Sequence, residues 1–206
     1  MIKTIIKELR EHAPFTVFGA VTGIIFMAIF HNIPHKVSHN MFYIFHPIHV
    51  VLSAMVTSSM YELHKCSTSR LKCNIWVLLV IGYVGSVGIA TLSDSVIPYL
   101  GEALLGLPNR DAHIGFIEEW WIVNPMAILG IAIAYFRPAT KFPHSGHVLL
   151  STWASLFHII MAMSGRLHWY LYIVIFFFLF IAVWLPCCIS DIVFPLLFVK
   201  DEKGKM

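Results

Sequence analysis

HPIHVVLS, at residues 46–53, returns 98 residues later as HSGHVLLS, at residues 144–151, with five identities in eight positions. A second pair of octapeptides, SDSVIPYL at residues 93–100 and SDIVFPLL at residues 190–197, also shares five of eight positions. Both pairs occur in the same order and at nearly the same spacing, which is typical of a duplicated unit. The sequence therefore predicts two related halves, in which histidine, aspartate and serine are among the shared residues.

The composition indicates a membrane protein. Of 206 residues, 58% are hydrophobic and 12% are charged, and the mean hydropathy is +0.78. Soluble domains carry about a quarter charged residues. An apolar helix of some 20 residues crosses a hydrocarbon layer of about 30 Å. We expect an all-α integral membrane protein with six transmembrane helices, at about residues 15–31, 41–61, 74–93, 120–136, 147–165 and 169–199.

The distribution of positive charge predicts the orientation. With six spans, all Lys and Arg residues except Lys36, Arg110 and Arg166 fall on the side of the two termini. Positive loops stay cytoplasmic, so we expect a multi-pass protein of the plasma (cell inner) membrane with both termini in the cytoplasm. The net charge of +3 then reflects topology and not nucleic-acid binding. Residues 1–12, with charges between apolar positions, predict an interfacial amphipathic helix.

The number of spans in each half determines how the halves are related. Residues 1–112 and 113–206 would each hold three helices, and an odd number makes the second half enter the membrane from the opposite side. The sequence thus predicts a 3+3 inverted-topology repeat about an axis in the membrane plane, an arrangement found in many transporters. Pro98 and Pro195 are expected to break helices three and six of the six.

The first repeated motif has the spacing of metal ligands on a helix. Residues i, i+3 and i+7 share one helical face. His46, His49 and Ser53 therefore form one stripe, and His144, His147 and Ser151 form the corresponding stripe. Two imidazoles on one face can chelate a divalent metal ion, although a single buried histidine is more often a packing or hydrogen-bonding residue. Because both pairs recur with their flanking Val, Leu and Ser, we interpret them as ligands.

The second repeated motif places an acid at each proline break. Proline has no N–H, so the carbonyl of the residue four positions earlier loses its helical partner. Each break therefore offers one cation a carboxylate, a freed carbonyl and a serine hydroxyl. Ser93 and Asp94 supply these groups in the first half, and Ser190 and Asp191 supply them in the second. The alternative is that Ser-Asp caps a helix end and proline marks the next turn. We expect Asp94 to join the first histidine pair and Asp191 the second.

Several further polar residues lie near these two predicted sites. His158 is in the outer half of the fifth span and can complete the predicted site of His46, His49 and Asp94. The external segment 101–121 is acidic and can attract cations. Asn124 begins the second unit next to Pro125 and can add a polar group. His158 is thus predicted to be a further metal ligand. Glu102, Glu118 and Asn124 are predicted to support the sites, besides the serines of the motifs.

These residues favour a secondary transporter for a divalent transition metal. Imidazole and carboxylate suit Zn, Fe, Mn, Co or Ni better than Cu(I), Ca²⁺ or Mg²⁺. Protonation of the ligands would couple release of the metal to protons, and the chain has no nucleotide-binding motif. Two alternatives remain: an intramembrane zinc hydrolase, which needs only one site, and a b-type haem protein with axial ligands such as His49 and His158. A homodimer of the six-helix unit is also compatible with its size.

Overall fold

A computed structural model describes residues 2–65, 74–189 and 193–198, and all regular structure in these ranges is helical. A π-helical turn, Leu92–Val96, joins the third and fourth helices. The helices are α1 Ile2–Ile29, α2 His35–Lys65, α3 Ile75–Thr91, α4 Ile97–Leu105, α5 Gly115–Glu118, α6 Trp120–Phe136, α7 Lys141–Ala162, α8 Trp169–Cys188 and α9 Phe194–Leu197.

Four helical segments in the described ranges are long and apolar enough to cross a membrane. They are His35–Lys65, Ile75–Leu105, Phe142–Ala162 and Trp169–Cys187. Two further apolar helices, Ala13–Ile29 and Trp120–Phe136, are shorter. Large apolar side chains face outwards, as at Leu104, which is 83% exposed, while many polar side chains are buried. This combination is that of a helical membrane protein.

The predicted apolar runs correspond to helices α1, α2, α3, α6, α7 and α8, with different ends. The third does not stop at Ser93 but continues through the π turn to Leu105. The N-terminal residues are not a separate helix, because α1 runs without interruption from Ile2 through Pro14 to Ile29. The helix that corresponds to the sixth predicted span, α8, ends at Cys188.

Helices α2 and α7 form the centre of the bundle and run antiparallel. Phe42 of α2 packs in one cluster with Met161 of α7, and the ring centroids of Phe45 and Phe157 are 5.6 Å apart. Further along, Leu52 lies against Gly146. Helices α3 and α6 pack on α2, while α1 and α8 pack on each other and on α7. One face of α2 therefore lies directly against one face of α7.

Two glycines allow the outer helices to approach this central pair closely. A Cβ atom at Gly19 of α1 would lie 2.9 Å from Cβ of Thr152 on α7. A Cβ atom at Gly130 of α6 would lie 2.8 Å from Cβ of Ala54 and only 2.4 Å from the carbonyl oxygen of Val51, both on α2. Small residues at helix contacts are a general feature of membrane bundles. Thr152 and Ala54 occupy corresponding positions of the repeat, 98 residues apart.

Candidate metal centre

The π turn brings Asp94 into the core. The N–H of Ile97 bonds to the carbonyl of Leu92, five residues earlier, and not to Ser93. The hydroxyl of Ser155 on α7 donates instead to the Ser93 carbonyl at 2.9 Å. Pro98 follows Ile97 and has no N–H to donate. The helical hydrogen-bond ladder is therefore interrupted where the sequence predicts, although the helix continues. Such π turns occur frequently at functional sites.

Two histidines of α2 share one oxygen of Asp94. Nδ1 of His46 lies 2.9 Å from Oδ2 of Asp94, and Nδ1 of His49 lies 2.7 Å from the same oxygen. All three side chains are fully buried. One ligand-type atom from each residue lies within 4.8 Å of those of the other two, so the group can hold a metal ion. We call these three residues the buried triad.

The other carboxylate oxygen of Asp94 is held by two serines. Ser93 Oγ donates to Oδ1 at 2.7 Å, and Ser151 Oγ of α7 donates to the same atom at 2.6 Å. The carboxylate is therefore oriented by hydroxyl groups on one side and presents its second oxygen to both imidazoles on the other. Hydrogen bonds of this kind fix the direction of a metal-binding group and tune its affinity.

The spacing of these atoms is close to that of a metal shell. An ion with four ligands at about 2.0 to 2.2 Å keeps neighbouring ligand atoms about 3.3 to 3.6 Å apart in a tetrahedron. The two Nδ1–Oδ2 distances of the triad are 2.9 and 2.7 Å. These are hydrogen-bond distances, so an ion at this position must replace the two shared protons, and each distance must widen by about 0.4 to 0.9 Å. The triad can therefore hold an ion after it loses these protons.

Gly115, at the start of α5, covers one edge of the triad. A Cβ atom there would lie 2.6 Å from both Nε2 and Cδ2 of His46. The His46 ring is also stacked on Phe42, with the centroids 5.2 Å apart and the planes inclined by 12°. Because His46 is held on both sides, only a residue without a side chain fits at position 115.

Gly115→Ala is therefore expected to weaken metal binding without removing a ligand, because the new methyl group meets the Nε2–Cδ2 edge of His46 and must displace the ring from the position in which it faces Asp94. We expect the Kd for Zn²⁺, measured by isothermal titration calorimetry in detergent, to rise about 10-fold or more, the size seen when the support of a ligand is lost. Gly88→Ala is the matched control, since a Cβ there meets nothing within 4 Å. Equal Kd values for the two variants would contradict this role of Gly115.

The second histidine motif meets the first at the centre of the bundle. The rings of His49 and His147 are stacked with centroids 5.7 Å apart, and the ring of half-buried His144 is 5.7 Å from that of His147. The sequence predicted two separate histidine sets, one in each repeat, whereas the structure joins them through this contact. Ser53 is buried on α2, and Pro195 is buried in α9. Ser190 and Asp191 lie outside the described residues.

His158 pairs with a different acid. Its Nδ1 lies 2.6 Å from Oε1 of Glu102 on α4, and both side chains are buried. The ring of Phe42 lies between this pair and the triad, 5.4 Å from the His158 ring and 5.2 Å from the His46 ring. His49 and His158, the pair considered for haem, thus bond to two different carboxylates.

Glu118 and Asn124 connect helices outside the triad. Glu118 accepts hydrogen bonds from the Tyr43 hydroxyl and, at 3.0 Å, from the N–H of Ile114. Asn124 Oδ1 accepts the Tyr83 hydroxyl at 2.8 Å. Glu118 therefore links the α5 segment to α2, and Asn124 links α6 to α3.

Sequence reasoning did not single out His35 and His39. They continue the face of α2 that carries the triad, because positions 35, 39, 42, 46, 49 and 53 alternate steps of four and three residues. That spacing marks one helical stripe. The apolar Phe42 in the middle hides the continuity when only polar motifs are compared. His113, whose ring is 5.7 Å from that of His39, lies in a connection without helical spacing.

Comparison with protein-family models, with curated proteins and with solved structures finds no match to this chain. The described residues form a bundle of apolar helices with a buried His46–His49–Asp94 group that can hold a metal ion. The metal-ligand chemistry predicted for these three residues agrees with that geometry.

Proposed function

We propose that the protein is a secondary transporter of a divalent transition-metal cation and that the buried triad is its substrate site. One observation carries the proposal: two imidazoles converge on one oxygen of Asp94 in a position closed to solvent. Ionisable residues at membrane depth are costly and mark ion pathways. Imidazole with carboxylate suits Zn, Fe, Mn, Co or Ni.

A polar seam on both sides of the triad supports movement of the ion. Along α7, residues 144, 147, 151, 155 and 158 form a stripe of three histidines and two serines. Ser151 and Ser155 of this stripe bond to the π turn, and His158 bonds to Glu102 of α4. Towards one end of the bundle, His49 contacts His147, which contacts half-buried His144. A structural metal site would need no such continuation. The seam offers successive ligands between the centre of the bundle and its surface.

Equivalent contacts support an inverted repeat as the basis of transport. His49 and His147 are corresponding residues of the two motifs, and their rings touch each other as expected for residues beside a two-fold axis. The contact of α1 with α7 at Gly19 corresponds to the contact of α6 with α2 at Gly130. On this proposal, Asp191 is the counterpart of Asp94, and the two halves rock about the shared centre.

Protons are the coupling ion in this proposal. An imidazole nitrogen or a carboxylate oxygen binds either a proton or a metal ion, so protonation of the ligands favours release of the metal. The distribution of positive charge favours cytoplasmic termini, and in that orientation α2 begins at the external face. Metal uptake should therefore acidify the compartment from which the metal is taken if the ligands exchange one for the other.

A zinc hydrolase is the second candidate, and one observation favours it. Ser151 of the second motif bonds to Asp94 of the first, so residues of both repeats contribute to a single cluster. An enzyme needs only one such cluster. His46, His49 and Asp94 would then hold a resident ion that acts as a Lewis acid. The buried serines would orient the carboxylate in either function.

Flux measurements on the purified protein in proteoliposomes separate the two functions. With a Zn²⁺ gradient and a zinc-sensitive dye inside, we expect metal to enter only vesicles that contain the protein, with protein-free vesicles as the control. Competition by Fe²⁺, Mn²⁺, Co²⁺ and Ni²⁺ would define the preferred ion. Zinc-dependent hydrolysis of lipid amides or esters, without any zinc entry, would favour the enzyme and refute transport.

A further inference from the structure

Three histidines gather at the end of the bundle where α2 begins. His35 and His39 lie one turn apart on α2, with ring centroids 6.2 Å apart, and His113 comes from the connection before α5. The His113 centroid is 6.4 Å from that of His35 and 5.7 Å from that of His39. We call these three residues, together with Glu118, the surface histidine cluster.

Glu118 and the backbone hold His113 in place. Nδ1 of His113 lies 3.3 Å from Oε2 of Glu118. The backbone of His113 has a φ of +33°, a left-handed conformation that is uncommon for a residue other than glycine. Ser95, in the π turn beside Asp94, donates a hydrogen bond to the His113 carbonyl at 2.9 Å. Strained residues held in this way are concentrated at functional sites.

The ring separations are close to those of a three-histidine metal site. Three imidazoles on one tetrahedral ion, with metal–nitrogen bonds of about 2.0 to 2.1 Å, place their centroids about 5.2 Å apart. The observed separations are 5.7 to 6.4 Å. The exposed side chain of His35 can rotate to close this difference. The cluster is thus less tightly organised than the buried triad but within reach of binding.

The cluster also contacts the interior. The His113 ring is 5.5 Å from the ring of buried His158, which pairs with Glu102. Phe42 contacts His113, His158 and His46, so it separates the cluster from the triad. Positions 133 and 137, which lie 98 residues after 35 and 39, hold Ile and Arg and belong to the end of α6, not to α7. The described part of α7 therefore has no equivalent of His35 and His39.

We infer that the surface histidine cluster is a second site for a divalent transition metal, which captures the ion at the face where α2 begins and delivers it past Phe42 to the triad. Binding at the cluster stands on its own geometry, whereas delivery rests on the proposed transport function. Because the cluster lies at the face where α2 begins, it makes loading from that face more efficient at low metal concentration.

Zn²⁺ titration and the Co²⁺ d–d spectrum of the full-length protein in detergent test this site. We expect the triple variant His35→Ala, His39→Ala, His113→Ala to lose one bound equivalent while the triad keeps its own. Asp94→Asn should lose the equivalent bound at the triad and keep the one at the cluster. The single variant His39→Ala should raise the Kd of the surface site about 10-fold or more, since loss of even a supporting group costs that much. His31→Ala is the control.

The outcomes separate the surface site from the transport function. If the triple variant and the wild type bind the same number of Zn²⁺ ions with the same Kd values, the surface site does not exist, whatever the flux. If the triple variant loses one equivalent but wild-type vesicles show no Zn²⁺ entry, the site stands and the transport proposal fails. With both correct, the triple variant should require about 10-fold more Zn²⁺ for half-maximal flux, at an unchanged maximal rate.

Discussion

Asp94→Asn is expected to abolish zinc flux and to remove metal binding at the buried triad. The amide keeps the shape of the side chain but loses the negative charge, so the two imidazoles that share Oδ2 keep at most a neutral oxygen as their acceptor. Losing a direct ligand should cost more than the 10 to 100-fold lost with a supporting group, so we expect the Kd of this site to rise by more than about 100-fold. Titration and vesicle flux measure the two effects.

Asp111→Asn is the matched control for this substitution. Asp111 lies exposed in the connection between α4 and α5, so the same chemical change there should leave binding and flux near wild-type values. Because Asn is the same size as Asp, we expect Asp94→Asn to keep the fold. A thermal unfolding scan in detergent checks this and so separates loss of the site from loss of the fold. If Asp94→Asn transports zinc at the wild-type rate, the triad is not the substrate site.

Asp191→Asn is expected to stop flux while leaving the first triad able to bind metal. In the inverted-repeat proposal, Asp191 serves the second histidine pair as Asp94 serves the first, and the ion must pass both. The variant should therefore bind one Zn²⁺ fewer than the wild type and should not release metal across the membrane. Equilibrium dialysis counts the ions, and vesicle flux reports their movement.

The same substitution distinguishes a transporter from a hydrolase. An enzyme with a single catalytic cluster at Asp94 would keep its activity in Asp191→Asn and would lose only stability. Normal flux in Asp191→Asn would refute the mirrored pathway even if Asp94 proves essential. A loss of flux in both aspartate variants, with one metal equivalent lost in each, is the result that the proposal requires.

Much of the helical architecture could be predicted because apolar runs in a membrane chain have few alternatives. The end of the third predicted helix could not be predicted. The polar segment at residues 93–95 looks like a helix end, yet the helix continues to Leu105 because the polar groups of this segment find partners on α7 and in the connection before α5. Whether the polar groups of such a segment find hydrogen-bond partners depends on tertiary contacts that the local sequence does not reveal.

The triad could be predicted because its chemistry is local. The i, i+3 spacing of His46 and His49 places them on one face, and Pro98 marks the irregular turn at Asp94. The contribution of Ser151 could not be predicted, because it depends on which face of α7 meets α2. That packing includes close approaches such as the one between Gly146 and Leu52, which repeat patterns alone do not assign to a partner.

The surface histidine cluster was missed for two physical reasons. Phe42 interrupts the polar stripe that leads from His46 back to His39 and His35, although all of them share one helical face. His113 reaches the cluster through a left-handed backbone conformation, which no helical periodicity predicts. Continuing a stripe through an aromatic position would have recovered the first two residues from sequence.

The most direct test of the central claim is anomalous diffraction at the zinc edge from crystals of the full-length protein soaked in Zn²⁺. The account predicts a peak between Nδ1 of His46, Nδ1 of His49 and Oδ2 of Asp94, with ligand distances of about 2.0 to 2.2 Å. Asp94→Asn crystals should lack that peak. Direct hydrogen bonds from both histidines to Asp94 that persist at saturating zinc, with no anomalous peak at the triad, would contradict the claim.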